Sequence, residues 1–450
     1  MALSSIVVVI LHMGYNPWHS KRLGRTSLTE EFTYGKELYG WSDLPRRNLS
    51  TGTVKETEEN EPEFRSQRNR EDFVHLNTIC PDLLSGNTMA VEIAKTITRS
   101  EIVNQKSYDF DFLTFDCEDF RTRQDYIMTS SREELDFPLA FSIVVYKDVV
   151  QFERLLRAIY RPHNYYCIHV DVKAAASTHR AVGLISECLE HVLVVQRPVA
   201  VTWGKFSVLE ADLLCMRELL RHGPWRYFIN LTGQEYPLKT NREIVNILNI
   251  FKGANNVDVS AKHRYWFLLR WKRAWPPPHG IRPFKGNVHV FVNRDFVEYA
   301  IHSRVAKDFT EWLKRTGIPD ETFFSSLNHN PHLNIPGSYT GLADTDKRRK
   351  PYIARFKNWR FGPSSWPCHG RRVRYICIFG VSDLPLLTSR PELFANKFHW
   401  RYQPLALDCL DWWHRNKILA ENSGRSDFND TYYRTIPYIN SDAIVPLYNA

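Results

Sequence analysis

Three consecutive stretches decide the fold: Phe141-Ser-Ile-Val-Val145, Val149-Val-Gln-Phe-Glu-Arg-Leu-Leu-Arg-Ala-Ile159 and Tyr165-Tyr-Cys-Ile-His-Val-Asp171. The first and third are short, continuous apolar runs, the signature of strands buried on both faces. Between them Val149, Phe152, Leu155, Leu156 and Ile159 recur at three- and four-residue spacing, which predicts an amphipathic helix. A strand, a helix and a strand in that order force a parallel pair with a helical crossover. Outward from this unit the alternation continues. A helix through Ala181 to Leu189, a strand at His191 to Val195, a helix from Ser207 to Leu220, a strand at Tyr227 to Leu231 and a helix from Arg242 to Phe251 are expected. Further on come a strand at Val288 to Val292, helices at Arg294 to Ile301 and Val305 to Arg315, a short helix from Pro319 and a strand at Val373 to Phe379. The class is therefore α/β with a mostly parallel central sheet flanked by helices. Ligands of such sheets sit beyond the carboxyl ends of the strands, which points to Asp171 and to Gly233-Gln-Glu235.

The chain has 450 residues, of which 43% are hydrophobic and 13% aromatic, and no internal repeat. This excludes collagen, coiled coil and wholesale disorder. Lys and Arg outnumber Asp and Glu by 59 to 50, a net charge of +9. That surplus suits an anionic ligand such as a nucleotide phosphate, and without any basic-aromatic module it does not indicate nucleic acid. Eight cysteines, all between Cys80 and Cys409, make an even set confined to the middle of the chain, as disulfides in a secretory compartment would be. Ile6 to Leu11 is an apolar run about as long as a signal-peptide core, and reads as a secretory signal or a clipped signal anchor, or else as an ordinary buried strand. Ser42 to Asp72 is polar and charged and reads as a stem, and Asn422 to Ala450 as a poorly patterned tail whose Tyr432, Tyr433, Tyr438 and Tyr448 are candidates to dock on the body. The organisation expected is residues 1–20 signal-like, 21–75 stem, 76–420 catalytic domain and 421–450 tail. Sequons begin at Asn48, Asn230 and Asn429.

Neither a Walker loop nor a GxGxxG follows the first strand. Asp109-Phe-Asp111 and Asp344-Thr-Asp346 have the spacing of a divalent-metal pair, but neither follows a buried strand, and both read as solvated loops. A diphosphate held without metal needs fixed cations. Arg371-Arg-Val-Arg374 supplies candidates, and so does Lys397, whose ammonium sits in the apolar Leu393-Phe-Ala-Asn-Lys-Phe398, where leaving it unpaired would be costly. Asp171 is either a hydrogen-bond acceptor for a ribose or base, or a cap for the next helix. Glu321, in the first turn after Pro319, either complements the helix dipole or serves as a general base.

Several of these segments, with Arg154-Leu-Leu-Arg-Ala-Ile-Tyr, Asn164 to Asp171, Ala211-Asp-Leu-Leu-Cys-Met, Asn230 to Asn241, Pro319-Asp-Glu-Thr-Phe and Leu393 to Phe398, together resemble the core 2 β-1,6-N-acetylglucosaminyltransferases and their blood-group-I branching relatives (glycosyltransferase family 14), a family that also includes peptide O-xylosyltransferases. The resemblance spans about Cys80 to Lys417. It implies a GT-A-type fold and a Golgi enzyme of type II topology, secreted if its N-terminus is cleaved. The implied chemistry is inverting, metal-independent transfer from UDP-N-acetylglucosamine to an O-glycan, with no cofactor. By position, Glu321 corresponds to the general base, Arg374 and Lys397 to the cations on the departing diphosphate, and Val144 and Asp171 to the uridine site. Asp258, Arg270, Trp359 and Phe361 correspond to acceptor contacts. Asp258 stands where the family has Glu, Phe361 where it has Tyr, and Phe267 where it has Lys. The resemblance also implies the pairs Cys80–Cys409, Cys117–Cys188, Cys167–Cys215 and Cys368–Cys377. The alternatives are a relative with another donor, such as a xylosyltransferase, and a catalytically silent glycan-binding protein.

Overall fold

The structure, a computed structural model, describes residues 76–96, 116–260, 269–361 and 366–448. The predicted signal-like segment, the stem, the sequon at Asn48, Asp109-Phe-Asp111 and Phe267 lie outside these residues. No helix among the described residues is long and apolar enough to cross a membrane.

The central sheet has five strands in the order β3-β2-β1-β4-β6. They are β1 (Leu139–Val145), β2 (Tyr165–Val170), β3 (Val192–Val194), β4 (Tyr227–Thr232) and β6 (Phe291–Asn293). The pairs β1 with β2, β1 with β4 and β2 with β3 are parallel, and β6 alone runs antiparallel, against β4. The crossovers are α1 (Val149–Ile159), α2 (Ala176–Glu187) and α3 (Ser207–Leu220). Alternation along the strands divides the core, because successive side chains point to opposite faces. Leu139, Phe141, Ile143, Tyr227, Ile229 and Leu231 pack into one apolar cluster, while Ala140 and Phe228 join α3 in the other.

At the carboxyl edge the strands are tied by their exits. Asp171 N donates to Val145 O at 2.8 Å and Gly233 N to Val144 O at 3.0 Å, which brings Val144, Asp171 and the β4 turn to one place. Beyond it a second sheet, β5-β10-β7, comprises β5 (Glu235–Pro237), β7 (Phe356–Lys357) and β10 (Phe394–Asn396). Its register sets Asn396 between Glu235 and Lys357, so these three share a row. The expected single strand from Val373 to Phe379 is instead a hairpin, β8 (Arg371–Val373) against β9 (Ile376–Ile378). The chain reverses at Arg374, whose φ is 53°. Strand periodicity is the same on either side of a tight turn, so the apolar pattern alone does not show the reversal.

All eight cysteines are paired, as Cys80–Cys409, Cys117–Cys188, Cys167–Cys215 and Cys368–Cys377. The first closes a span of 329 residues and joins the start of the described body to helix α8 (Leu405–Asn422). In the conformational-entropy account such a link stabilises by restricting the unfolded chain, by a few kcal/mol.

The boundary expected at residue 420 is not the edge of the core. Tyr433 and Tyr438 are buried in the same cluster as Phe141, and Tyr433 Oη donates to Pro391 O at 2.7 Å. Gly337 N bonds Val445 O at 2.8 Å, while Tyr432 and Tyr448 remain exposed. Three tertiary anchors, rather than helical or strand periodicity, hold this segment, which is why its sequence carries no pattern.

The sequon at Asn230 is not a glycan site. Asn230 lies in β4, 2% exposed, where Nδ2 donates to Asp212 Oδ2 at 2.8 Å and to Val288 O at 2.9 Å, and Oδ1 accepts from Val290 N at 2.8 Å. Its amide is fully committed to the core. Asn429 is exposed.

Candidate active site

Asp171, just past β2, is buried, and its Oδ1 accepts from Lys173 N at 2.8 Å, with Lys173 Nζ at 3.5 Å from Oδ2. It therefore organises the turn that follows the sheet edge, but it does not cap the next helix, whose N-cap is Ala175 without a side-chain cap hydrogen bond. Val144 is partly buried one residue before the end of β1.

The cations converge by tertiary pairing. Phe379, just past β9, donates its N–H to Lys397 O at 3.1 Å, which ties the hairpin to the exit of β10. Cys368–Cys377 clamps the same hairpin. Lys397 has its pKa lowered by burial and then by the charges of Arg374 and Lys147. The lowering by like charges places all three cations in one neighbourhood. Sequence reasoning missed Lys147, although its place two residues beyond β1, at the carboxyl edge of the sheet, is a usable signal.

Glu321 occupies the first turn of α7 (Asp320–Asn328), which follows α5 (Arg294–His302) and α6 (Arg304–Leu313), with α4 (Asn241–Phe251) earlier in the chain. Arg270 Nη1 donates to Glu321 Oε2 at 2.7 Å, and Lys285 Nζ stands 3.9 Å from the same oxygen. Backbone contacts hold this geometry from both sides. Gly286 N donates to Glu321 O at 2.7 Å, and Gly317 N donates to Arg270 O at 2.9 Å. Trp271 Nε1 donates to Thr322 Oγ1 at 3.2 Å, so the Arg270-Trp271 pair is pinned to the helix start twice. Gly286 is required here, because a Cβ would come within 2.2 Å of Asp258 O. Next to Glu321, Asp320 is buried with Oδ1 unpartnered, and burial and then the Glu321 charge push its pKa up to about 7.

Glu235, at the sheet edge the sequence pointed to, lies in a buried charge cluster whose partners sequence reasoning did not anticipate. Glu235 is fully buried, with Arg355 Nε 3.1 Å and His289 Nε2 2.7 Å from its carboxylate oxygens. Asn396 Nδ2 donates to its Oε1 at 3.0 Å. Burial opposes ionisation, but the Arg355 and His289 contributions outweigh it and hold the Glu235 carboxyl at about 2. Lys357, next in the row, donates to Asn287 Oδ1 at 2.7 Å, and its pKa is lowered by burial to about 8.

The acceptor-side candidates fall into two groups. Asp258 is partly buried and paired with Lys347 at 3.6 Å. Trp359 bridges to Ile376 of β9 and is 46% exposed, and Phe361 is 68% exposed with its ring 5.5 Å from Tyr375. These apolar faces stand beside the Arg374 turn, open to solvent as a sugar-stacking surface must be. Asp344 and Asp346 lie exposed in a loop, and no cluster of three metal-ligating side chains occurs among the described residues.

The described residues thus include a carboxylate at a helix start, a group of neighbouring cations and exposed aromatic faces. Residues 139–387 match the family model described as Core-2/I-Branching enzyme. The chain is 36% identical over 326 residues to human N-acetyllactosaminide beta-1,6-N-acetylglucosaminyl-transferase, covering 68% of this chain and 79% of that one. It is 34% identical over 371 residues to bovine beta-1,3-galactosyl-O-glycosyl-glycoprotein beta-1,6-N-acetylglucosaminyltransferase, covering 76% and 86%. To the human protein of the latter name it is 33% identical over 391 residues, covering 80% and 90%. The chain is a glycosyltransferase and belongs to the core-2/I-branching enzyme family.

Proposed function

We propose that this protein transfers N-acetylglucosamine from UDP-N-acetylglucosamine, in β-1,6 linkage and with inversion, to an O-glycan acceptor. The observation that carries the reading is the arrangement at Glu321. Oε2 is held by Arg270 at 2.7 Å, and among the described residues Oε1 accepts no hydrogen bond. A carboxylate oriented through one oxygen and open at the other is placed to take the proton of an acceptor hydroxyl. The deprotonated oxygen then attacks the anomeric carbon from the face opposite the leaving group, forming the new glycosidic bond as the bond to UDP breaks. Arg374, Lys397 and Lys147 neutralise the charge that develops on the diphosphate, the role a divalent ion plays in metal-dependent transferases. Val144 and Asp171 hold the uridine, and Trp359 and Phe361 stack on the acceptor sugars with Asp258 and Arg270 alongside. Four disulfides support folding in the secretory pathway, in keeping with a Golgi-luminal enzyme.

The test is Glu321→Gln, which keeps the volume and removes the base. Transfer to Galβ1-3GalNAc is expected to fall by roughly 10²- to 10⁴-fold with UDP binding retained. Turnover within tenfold of the parent protein would remove Glu321 from the base role.

A further inference from the structure

Gln151 is a polar residue on the buried face of α1, 1% exposed, and both ends of its amide are used. Nε2 donates to Phe398 O at 3.1 Å, and Oε1 accepts from Trp400 N at 3.0 Å. Packing against an apolar core would be served by Leu or Met. A buried amide costs stability unless its hydrogen bonds are met, and here main-chain groups 247 and 249 residues further along the chain meet them. Those groups belong to the segment that begins at Lys397.

The grip closes a circuit. Lys397 O accepts from Phe379 N at 3.1 Å, and Phe398 N donates to Gln234 O at 2.9 Å. Gln234 adjoins Gly233, whose N donates to Val144 O at 3.0 Å. From Val144 the chain leaves β1, turns at Asp148 with a φ of 60° and enters α1, where Gln151 is the third residue. Gln151 then returns to Phe398, whose ring is anchored 5.3 Å from that of Phe379. A shift of the Lys397 segment against the exit of β1 must therefore break one of these bonds. Those of Gln151 are made by a side chain, so a substitution can remove them and leave the backbone bonds in place. Lys397 is itself partly buried, and a long side chain is aimed by where its backbone is held.

We propose that Gln151 is a positioning residue for the donor site. Through its two hydrogen bonds it fixes the Lys397 segment against the exit of β1, so that the ammonium meets the diphosphate of a nucleotide whose base lies at Val144. This rests on the transferase reading above, with Lys397 and Val144 on the donor.

The experiment measures UDP binding to the full-length protein by calorimetry, together with the KM for UDP-N-acetylglucosamine and for Galβ1-3GalNAc, in the parent and in four variants. Gln151→Met keeps the length and removes both hydrogen bonds. Its UDP Kd and donor KM are expected to rise on the order of tenfold, as for a segment in place about one-tenth of the time, with the acceptor KM within about twofold of the parent. Gln151→Glu keeps an acceptor for Trp400 N but sets a carboxylate against Phe398 O. Its UDP Kd, relative to the parent at the same pH, should recover as pH falls from about 7.5 to about 5 and the carboxyl regains a proton to donate. Tyr433→Phe, which removes the hydrogen bond of the tail to Pro391 O, controls for lost stability and should leave UDP binding unmoved. A UDP Kd unchanged in both Gln151 variants, a rise in donor and acceptor KM alike, or an equal loss in Tyr433→Phe overturns the positioning role. Those results, with UDP binding weakened in Lys397→Ala, leave the donor reading intact. A Lys397→Ala protein that binds UDP as tightly as the parent overturns the donor role of Lys397 and the inference with it.

Discussion

Replacing Arg355 with Met tests whether the buried Glu235 cluster holds up the floor of the site. Both side chains of the Glu235–Arg355 pair are fully buried, with Nε and Oε2 3.1 Å apart. Met fills most of the volume but leaves Glu235 charged and uncompensated. Removing one partner of such a pair costs about 3–5 kcal/mol. Arg355 also donates to Asn230 O at 2.6 Å and to Ala354 O at 2.9 Å, and each acceptor left unmet adds about 1 kcal/mol. In the parent protein His289 adds no full charge at neutral pH, since burial and then Lys357 hold its pKa down to about 4. In the variant Glu235 would rather bind a proton than stay charged, so the deficit should shrink as pH falls from 7 toward 5. Urea unfolding followed by tryptophan fluorescence, with the disulfides intact, reads the loss as a fall in midpoint. The double variant Glu235→Gln/Arg355→Met removes both charges and should recover more than half of it. Arg348→Met, which breaks an exposed pair with Asp346, is the control and should leave the midpoint unmoved. A loss below about 1 kcal/mol in Arg355→Met, or a double variant as unstable as the sum of its parts, would show that the cluster is not a supporting element.

Two further outcomes follow from the same charges. Asp320 has a folded pKa of about 7 and an unfolded one near its ordinary value, so the folded state keeps a proton that the unfolded chain gives up. Stability contributed by that proton is therefore lost as pH rises from about 4 through 7, and Asp320→Asn, which cannot ionise, should gain on the parent protein across that window by roughly 4 kcal/mol. A stability difference that does not change with pH would contradict the assignment. At the donor end, turnover should persist in excess EDTA, and Lys397→Ala should weaken both UDP binding and turnover by more than tenfold. A strict manganese requirement, or a Lys397→Ala protein with unchanged kinetics, would return the diphosphate to some other group.

Much of the frame is legible in the amino-acid order itself. The runs Phe141 to Val145 and Tyr165 to Val170 are mostly apolar because both faces of those strands are covered, with Ser142 and His169 buried among them. The candidate residues Glu321, Arg374 and Lys397 can likewise be picked out one at a time, because they stand in motifs that resemble a known family. Their partnerships are not. Arg270 and Glu321 are 51 residues apart and meet at 2.7 Å. Glu235 and Asn396 are 161 residues apart and meet at 3.0 Å through the pairing of β5 with β10. Asn230 carries a valid sequon, and only its place in β4 removes it from the surface.

Local sequence determined what was periodic or contiguous: the α/β class, the parallel order implied by the crossovers, and the residue types that chemistry at a diphosphate requires. Tertiary structure alone decided which charges face one another, that the chain reverses at Arg374, and that Tyr433 and Tyr438 belong to the core. The physical reason is range. Periodicity reports on a residue and its neighbours a turn away, whereas the energy of a buried charge depends on partners brought from anywhere in the chain.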